Sequence, residues 1–379
     1  MINNNELTER ELQHFNKLAI NWLLGAQFLK KDNIKGFFPR GTTIIRRDEI
    51  YPEITGYGAS TLSLLYFKYK NTLYEERSIC ACDALIRYMQ PNGTIPSIIN
   101  KDGSFEDIVY SFDQGMIANG ILDTYNVLSI ESKNKAKYFK DYGLNAVDFL
   151  LKIQKEDGNI PKTCFLNGIT KENDNLCISG KIIIPILKAF KITGKIKYKN
   201  AAELIANYII KKFQKNDGAF SLNEYISWDN RVHYHCYAID GILSIYDNLG
   251  DEEFLKSANK AAILLKNIQK ENGGFYYELP GKKQIRIEDP VPVVQALDIW
   301  LYLVKKEDNY EYITPIKKAL RYLLDHQYNK RIYGLAYGGI PPMVPYRKKY
   351  YACTWAVQFS LDIINKYEIL LNELISDNK

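Results

Sequence analysis

Ala201–Gly218 reads AAELIANYIIKKFQKNDG. Its first thirteen residues place apolar side chains at helical spacing with no internal Gly or Pro, which predicts an amphipathic helix. Its last five residues run from Gln through Asp to Gly. Asp-Gly and Asn-Gly are turn dipeptides, because Gly tolerates positive φ and Asp or Asn can bond the local backbone. Helix followed by stop is therefore one unit, and the unit recurs. Clear copies of the phrase are Gln90–Gly93, Gln154–Gly158, Gln214–Gly218 and Gln269–Gly273. Weaker ones start at Gln27, leading to Gly36-Phe37, and at Gln327, leading to Tyr333-Gly334. Successive Gln residues lie 63, 64, 60, 55 and 58 positions apart. That period is too long for one helical hairpin of the common solenoids and suits two helices with a long loop. Six units give about twelve helices, and six hairpins can close into a ring that needs no end caps.

Connection lengths carry the next inference. Loops of about fifteen to twenty residues follow each phrase, such as Gly158–Ile178 and Gly273–Pro290, whereas the other connections are short, such as Thr193–Lys195. In a ring of antiparallel hairpins all long loops fall on one face. Long loops in a compact domain are commonly functional, so the site is expected where these loops enter the second helix of each hairpin.

The composition bounds the class. The 379 residues are covered almost throughout by the repeat, so a single domain over residues 1–379 is expected. Hydrophobic content is 46%, ample for a core, and the 29 Tyr exceed what a core needs, since each hydroxyl wants a partner. Net charge is +6 and scattered; the Arg347-Lys348-Lys349 run and Lys282-Lys283 with Arg286 read as solvated loops, so no nucleic-acid partner is expected. The six Cys form no Cys-x-x-Cys pair, the N-terminal stretch is polar and acidic, and no apolar run approaches a membrane span. These features point to a reducing, cytoplasmic protein.

Candidate chemistry lies at the helix starts. The first gives Tyr51-Pro52-Glu53-Ile54-Thr55-Gly56-Tyr57, with Pro and Glu suited to a helix N-terminus. The second gives Tyr110-Ser111-Phe112-Asp113-Gln114-Gly115, where burial against rings would raise the Asp113 pKa. The third is poorest, with Asn173-Asp174-Asn175 and Ser179. The fourth, after Trp228 and Asp229, gives Arg231-Val232-His233-Tyr234-His235-Cys236-Tyr237 and then Asp240. His-x-His with Cys could ligate zinc, but no second cluster completes a ligand set, so no metal and no other cofactor is expected. The fifth gives Asp289 and Gln295, the sixth Tyr346-Arg347, Tyr350-Tyr351 and Trp355. In a ring, Glu53, Asp113, Asp240 and Asp289 would converge, with Arg231, His233, Tyr57 and Trp355 around them. Two carboxylates in an aromatic cleft suit glycoside hydrolysis. A His/Tyr pair with Arg suits proton abstraction beside a uronate carboxylate, as in lyase or epimerase chemistry.

The strings YPEITGY, SFDQG, the Tyr/His-rich start at 231–237 and EDPVPVVQALDIW resemble toroid proteins found among bacterial and archaeal polysaccharide-biosynthesis genes. The usual pattern is similar to Tyr-Pro-Glu-x-Thr-Gly-Tyr, Phe-Asp-Thr-Gly-Gln and Thr-Asp-Val-x-x-Gln-x-x-Arg-x-Trp. Here Gln114 stands where Thr is usual, and the third motif matches only at Gln295 and Trp300, with Asp289 two positions early. The resemblance implies an all-α, (α/α)6 toroid of about twelve helices, of the six-hairpin-glycosidase or terpenoid-cyclase-like type. Asp-x-Asp-Asp and Asp-Asp-x-x-Asp strings of isoprenoid cyclases are absent, as are the Cys and Cys-His-Gly zinc ligands of lanthionine cyclases.

The expectation is a carbohydrate-active enzyme of polysaccharide metabolism, a glycoside hydrolase, lyase or epimerase acting on a glycan or lipid-linked glycan. Glu53, Asp113, His233 and Asp289 are its catalytic candidates. Tyr51, Tyr57, Tyr110, Phe112, Arg231, Tyr234, His235, Asp240, Gln295 and Trp355 are its substrate-binding candidates. The alternatives are a non-catalytic glycan-binding toroid assisting glycosyltransferases, and an isoprenoid-processing cyclase or transferase.

Overall fold

Each Gln phrase ends a helix. The computed structural model describes residues 7–30, 32–130, 134–171, 177–221, 230–281, 284–345 and 350–376. The loop residues 173–175, 228–229, 282–283 and 346–349 singled out above lie outside that set. Among the described residues the α-helices are α1 Glu9–Ala26, α2 Pro52–Tyr69, α3 Thr72–Ile86, α4 Ser111–Ile130, α5 Ala136–Ile153, α6 Ile183–Thr193 and α7 Ile196–Phe213. They continue with α8 Val232–Leu249, α9 Glu252–Ile268, α10 Pro290–Glu307, α11 Ile313–His326, α12 Thr354–Lys366 and α13 Glu368–Ser376. The first twelve are the expected six hairpins, and α13 is an addition at the C-terminal end.

Odd and even helices differ in burial. In α1, 8 of 18 residues are buried, on one stripe; in α2, 13 of 18 are buried, around most of the circumference. A helix apolar on one stripe faces solvent on the other side, and one buried all round is internal.

The chain divides into two compact units. One comprises Met1–Ala26, Gly41–Asp48 and Ala262–Lys379, the other Gln27–Arg40 and Glu49–Ala261. In the second unit α4 packs on α2, α5 and α6, and α8 packs on α6, α7 and the 3-10 turn Cys177–Ile182. Glycines set the closest of these approaches: a Cβ at Gly120 would lie 2.2 Å from the Gly56 carbonyl oxygen, and one at Gly241 2.0 Å from that of Gly180. In the first unit α10 packs on α11 and α12, and α1 on α11 and α12. A two-residue antiparallel pairing of Gly41-Thr42 with Ala352-Cys353 joins loops there.

The phrase is a corner that grips the next odd helix. Gln27, Gln154, Gln214, Gln269 and Gln327 donate from Nε2 to the carbonyls of Arg77, Ala201, Ser257, Pro315 and Phe15, at 2.8–3.0 Å. Gln90 instead bonds its own turn, at the Tyr88 carbonyl. Each corner has a glycine with φ between +87° and +100°, at positions 36, 93, 158, 218, 273 and 338. A Cβ at any of the six would come within 2.1–2.5 Å of a carbonyl oxygen of the next odd helix. The sixth phrase returns to α1, through Phe15 and Leu18. Its corner glycine is Gly338, and not the expected Gly334, which sits inside the irregular turn Arg331–Ala336.

Candidate active site

Three even helices of the second unit open with the same construction. The residues before α2, α4 and α8 are Tyr51, Tyr110 and Arg231, and the fourth residue after each is Thr55, Gln114 and His235. Thr55 Oγ1 accepts the N–H of Phe38, Gln114 Oε1 that of Ile95, and His235 Nδ1 that of Phe220, each at 3.0 Å. Those N–H groups all lie two residues past the corner glycine. A buried main-chain N–H needs a partner, and three different side chains supply the same one. Gln114 therefore makes at α4 the bond that the Thr55 hydroxyl makes at α2. His235, placed above among the substrate-binding candidates, is held at both nitrogens: Nε2 lies 3.2 Å from the Ala261 carbonyl oxygen and donates to it. Burial pushes its pKa down to about 4, so the ring is neutral. It is a corner residue.

Two positions before these anchors stand Glu53, Phe112 and His233; two positions after stand Tyr57, Met116 and Tyr237. All of these but Met116 meet in one cluster within the unit. Asp113, in the first turn of α4, is 5% exposed. Burial raises its pKa to about 7, opposed by hydrogen bonds from the Ser97 and Tyr51 hydroxyls and by the Arg40 guanidinium. Ser97 is fixed in turn, since its Oγ accepts the Tyr110 N–H at 2.8 Å. Arg40 lies over the Tyr51 ring, 4.4 Å from its centroid. Asp113 Oδ2 has no hydrogen-bond partner among the described residues. Glu53, in the first turn of α2, is 3% exposed. Its charge helps to hold the Tyr51, Tyr57 and Tyr237 phenols above their ordinary pKa, after burial itself. The Tyr57 and Tyr237 phenols are neighbours, and burial is the first cause that pushes both pKa values up. The Phe112 ring lies 5.0 Å from that of Tyr237, tilted by 45°.

Lys181 belongs to this cluster and was not among the sequence candidates. Its Nζ is 3.0 Å from Asp240 Oδ2 and lies 4.7 Å and 5.6 Å from the Tyr237 and Tyr57 ring centroids. The signal that could have found it is the glycine before it. Gly180 is pressed against Ala238 and Gly241 as Gly56 is against Met116 and Gly120, so Lys181 follows Gly180 as Tyr57 follows Gly56. His233 is half-buried, edge-on to Tyr234 at 4.4 Å and to Tyr237 at 5.8 Å. Arg231 sits 5.3 Å over the Tyr234 ring. Tyr110, half-buried, has its phenol pKa raised by burial and then by Asp113.

Three candidates belong to the other unit. Asp289 caps α10, with Oδ1 accepting the Val291 N–H at 2.9 Å, a helix-terminus role that accounts for it without catalysis. Gln295 is buried in α10 with neither amide atom hydrogen-bonded among the described residues. Trp355 is half-buried in the first turn of α12. Among the described residues no group of three or more His, Cys, Asp or Glu is placed to hold a metal, and no helix is long and apolar enough to cross a membrane.

No protein-family model and no curated protein matches the chain by sequence. Its backbone does match solved structures. The cellobiose 2-epimerase of Bacillus thermoamylovorans B4167 is 12% identical, with a TM-score of 0.78 over 94% of this chain and 99% of that one. A D-mannose isomerase is 11% identical, with a TM-score of 0.77 over 95% and 98%. The unsaturated glucuronyl hydrolase of Bacillus sp. GL1, responsible for degradation of glycosaminoglycan, is 16% identical, with a TM-score of 0.68 over 94% and 98%. The chain therefore has an (α/α)6 toroid fold.

Proposed function

We propose that this protein is a carbohydrate-active enzyme that uses Asp113 and Glu53 as an acid/base pair on a glycan. The observation that carries the reading is the state of Asp113: buried, hydrogen-bonded by Tyr51 and Ser97, and protonated up to about pH 7. A general acid works best when its pKa lies near the working pH. In the hydrolytic form of the reaction Asp113 gives its proton to the leaving glycosidic oxygen as that oxygen separates from the anomeric carbon. Glu53 either takes the proton of the attacking water or attacks the anomeric carbon itself. Tyr57 and Tyr237, kept protonated by burial and by the neighbouring carboxylates, are hydrogen-bond donors in this reading. The structural relatives, named for epimerisation, isomerisation and glucuronyl hydrolysis of sugars, support a carbohydrate substrate. The reading extends to a cytoplasmic enzyme of polysaccharide biosynthesis that acts on a glycan or lipid-linked glycan alongside glycosyltransferases. That none of the six cysteines is in a disulfide supports the reducing compartment.

The test is turnover on cellobiose and on unsaturated glucuronyl oligosaccharides. Asp113→Asn and Glu53→Gln should each lower turnover by about 10²–10⁴-fold. Rates within a few-fold of wild type in both variants would remove the pair from the mechanism. One observation favours the non-catalytic alternative: Lys181 is paired with Asp240 and lies over the Tyr237 and Tyr57 rings in the interior. Calorimetric glycan binding without turnover, unchanged by Asp113→Asn, would select it.

A further inference from the structure

Residues 43–46 form a tight hairpin tip in the first unit. The Thr43 N–H donates to the Arg46 carbonyl at 2.8 Å, and the Arg46 N–H to Thr43 Oγ1 at 3.2 Å. Turn centres favour Gly, Asn, Asp and Pro; here they are Ile44 and Ile45, and Ile45 is 85% exposed. The segment 330–336 lies against this tip. The Leu335 N–H donates to the Ile44 carbonyl at 2.9 Å, and Thr42 Oγ1 to the Leu335 carbonyl at 2.8 Å. That segment exposes Leu335 and also Ile332, at 71%. The exposed Tyr350 ring lies 4.8 Å from Tyr333 of the same segment, tilted by 60°. Exposed apolar residues from separate parts of the chain are thus brought close by main-chain bonds.

Cations accompany them. Arg46, Lys330 and Arg331 are exposed, and none forms an ion pair among the described residues. Of the two carboxylates beside the hairpin, Asp48 accepts from the Tyr351 hydroxyl at 2.7 Å and Glu49 is exposed. Protruding Ile and Leu with unpaired Lys and Arg suit a lipid–water interface, where apolar groups enter the headgroup region and cations meet anionic headgroups. We propose that Ile45, Ile332, Leu335 and Tyr350, with Arg46, Lys330 and Arg331, form a docking surface for membranes containing anionic lipid. The proposal does not depend on the chemistry proposed for Asp113.

The test is co-sedimentation of the full chain with vesicles of phosphatidylcholine alone and of phosphatidylcholine with phosphatidylglycerol. The wild type should sediment with the anionic vesicles and not with the neutral ones, and high salt should release it. Ile45→Ser/Ile332→Ser and Arg46→Glu/Arg331→Glu should each bind at least about tenfold more weakly, with unchanged circular dichroism. No sedimentation of the wild type, or binding by both variants equal to wild type, would overturn the proposal. A wild-type dimer that Ile45→Ser dissociates, without vesicle binding, would also overturn it and make the patch a contact between copies.

Discussion

Lys181 and Asp240 illustrate how much a single buried pair can demand of its surroundings. Both side chains are largely buried, at 14% and 11% exposure, and sit beside the two tyrosine rings. Taking two charges out of water costs several kcal/mol per ion, which their attraction offsets only with good geometry. Removing one partner leaves the other buried and alone. Lys181→Met should therefore destabilise the protein by about 3 kcal/mol, and adding Asp240→Leu should recover part of that loss. Urea midpoints of the two variants measure this; additive losses would mean that the pair is not coupled. Burial keeps both neighbouring phenols protonated and pushes the Asp113 pKa up to about 7. Buried groups with shifted pKa values gather at functional sites, which is why this cluster and not Asp289 carries the functional reading.

At the scale of elements, the corners decide the architecture. Gly218 has φ +96°, and a Cβ there would fall 2.5 Å from the Lys260 carbonyl oxygen, whereas Gly250 has φ +70° with nothing within 4 Å. Gly218→Ala meets both strain and a main-chain clash, and should cost at least about 3 kcal/mol; Gly250→Ala meets strain alone, about 1 kcal/mol. Thermal or urea unfolding separates them, and equal losses would show that close approach to α9 is not what fixes the residue. The corner reading of His235 is testable in the same way. Gln114 makes the equivalent bond, so His235→Gln should cost about 1 kcal/mol, while His235→Leu strands the Phe220 N–H and the Ala261 carbonyl and should cost about 3 kcal/mol. Neither change should alter a specific kinetic constant. The helices and their stops were legible in the sequence because spacing and turn chemistry are local. The error at Gly334 arose because the sixth phrase places its glycine eleven residues past Gln327, with an irregular turn between them.

For the molecule as a whole, two buried groups pull stability in opposite directions with pH. Asp113 is raised to about 7, so the folded state holds a proton that the unfolded chain has lost above its ordinary carboxyl pKa of about 4. Its contribution is full below about pH 4 and is lost as pH rises toward 7. His235 is lowered to about 4 against about 6.5 unfolded, so its contribution is full above that value and is lost as pH falls toward 4. Each term is on the order of 3 kcal/mol across the shared window. Relative to wild type, His235→Gln should gain stability as pH falls from about 6.5 to about 4. Asp113→Asn should lose it over the same range, and urea midpoints across pH check both signs; parallel curves for the three proteins would contradict them. The repeat alone determined that the chain is six helical hairpins, because a Gln–Gly phrase every sixty or so residues states where each helix ends and how the backbone must turn. The opening motifs likewise marked Glu53 and Asp113, since residues at a helix start are placed by local rules. Only the tertiary structure decided which polar side chains meet. Tyr57, Lys181 and Tyr237 are far apart in sequence, and burial, hydrogen bonding and charge, which set Asp113's proton and took His235 into a corner, depend on distances between helices that no spacing along the chain records.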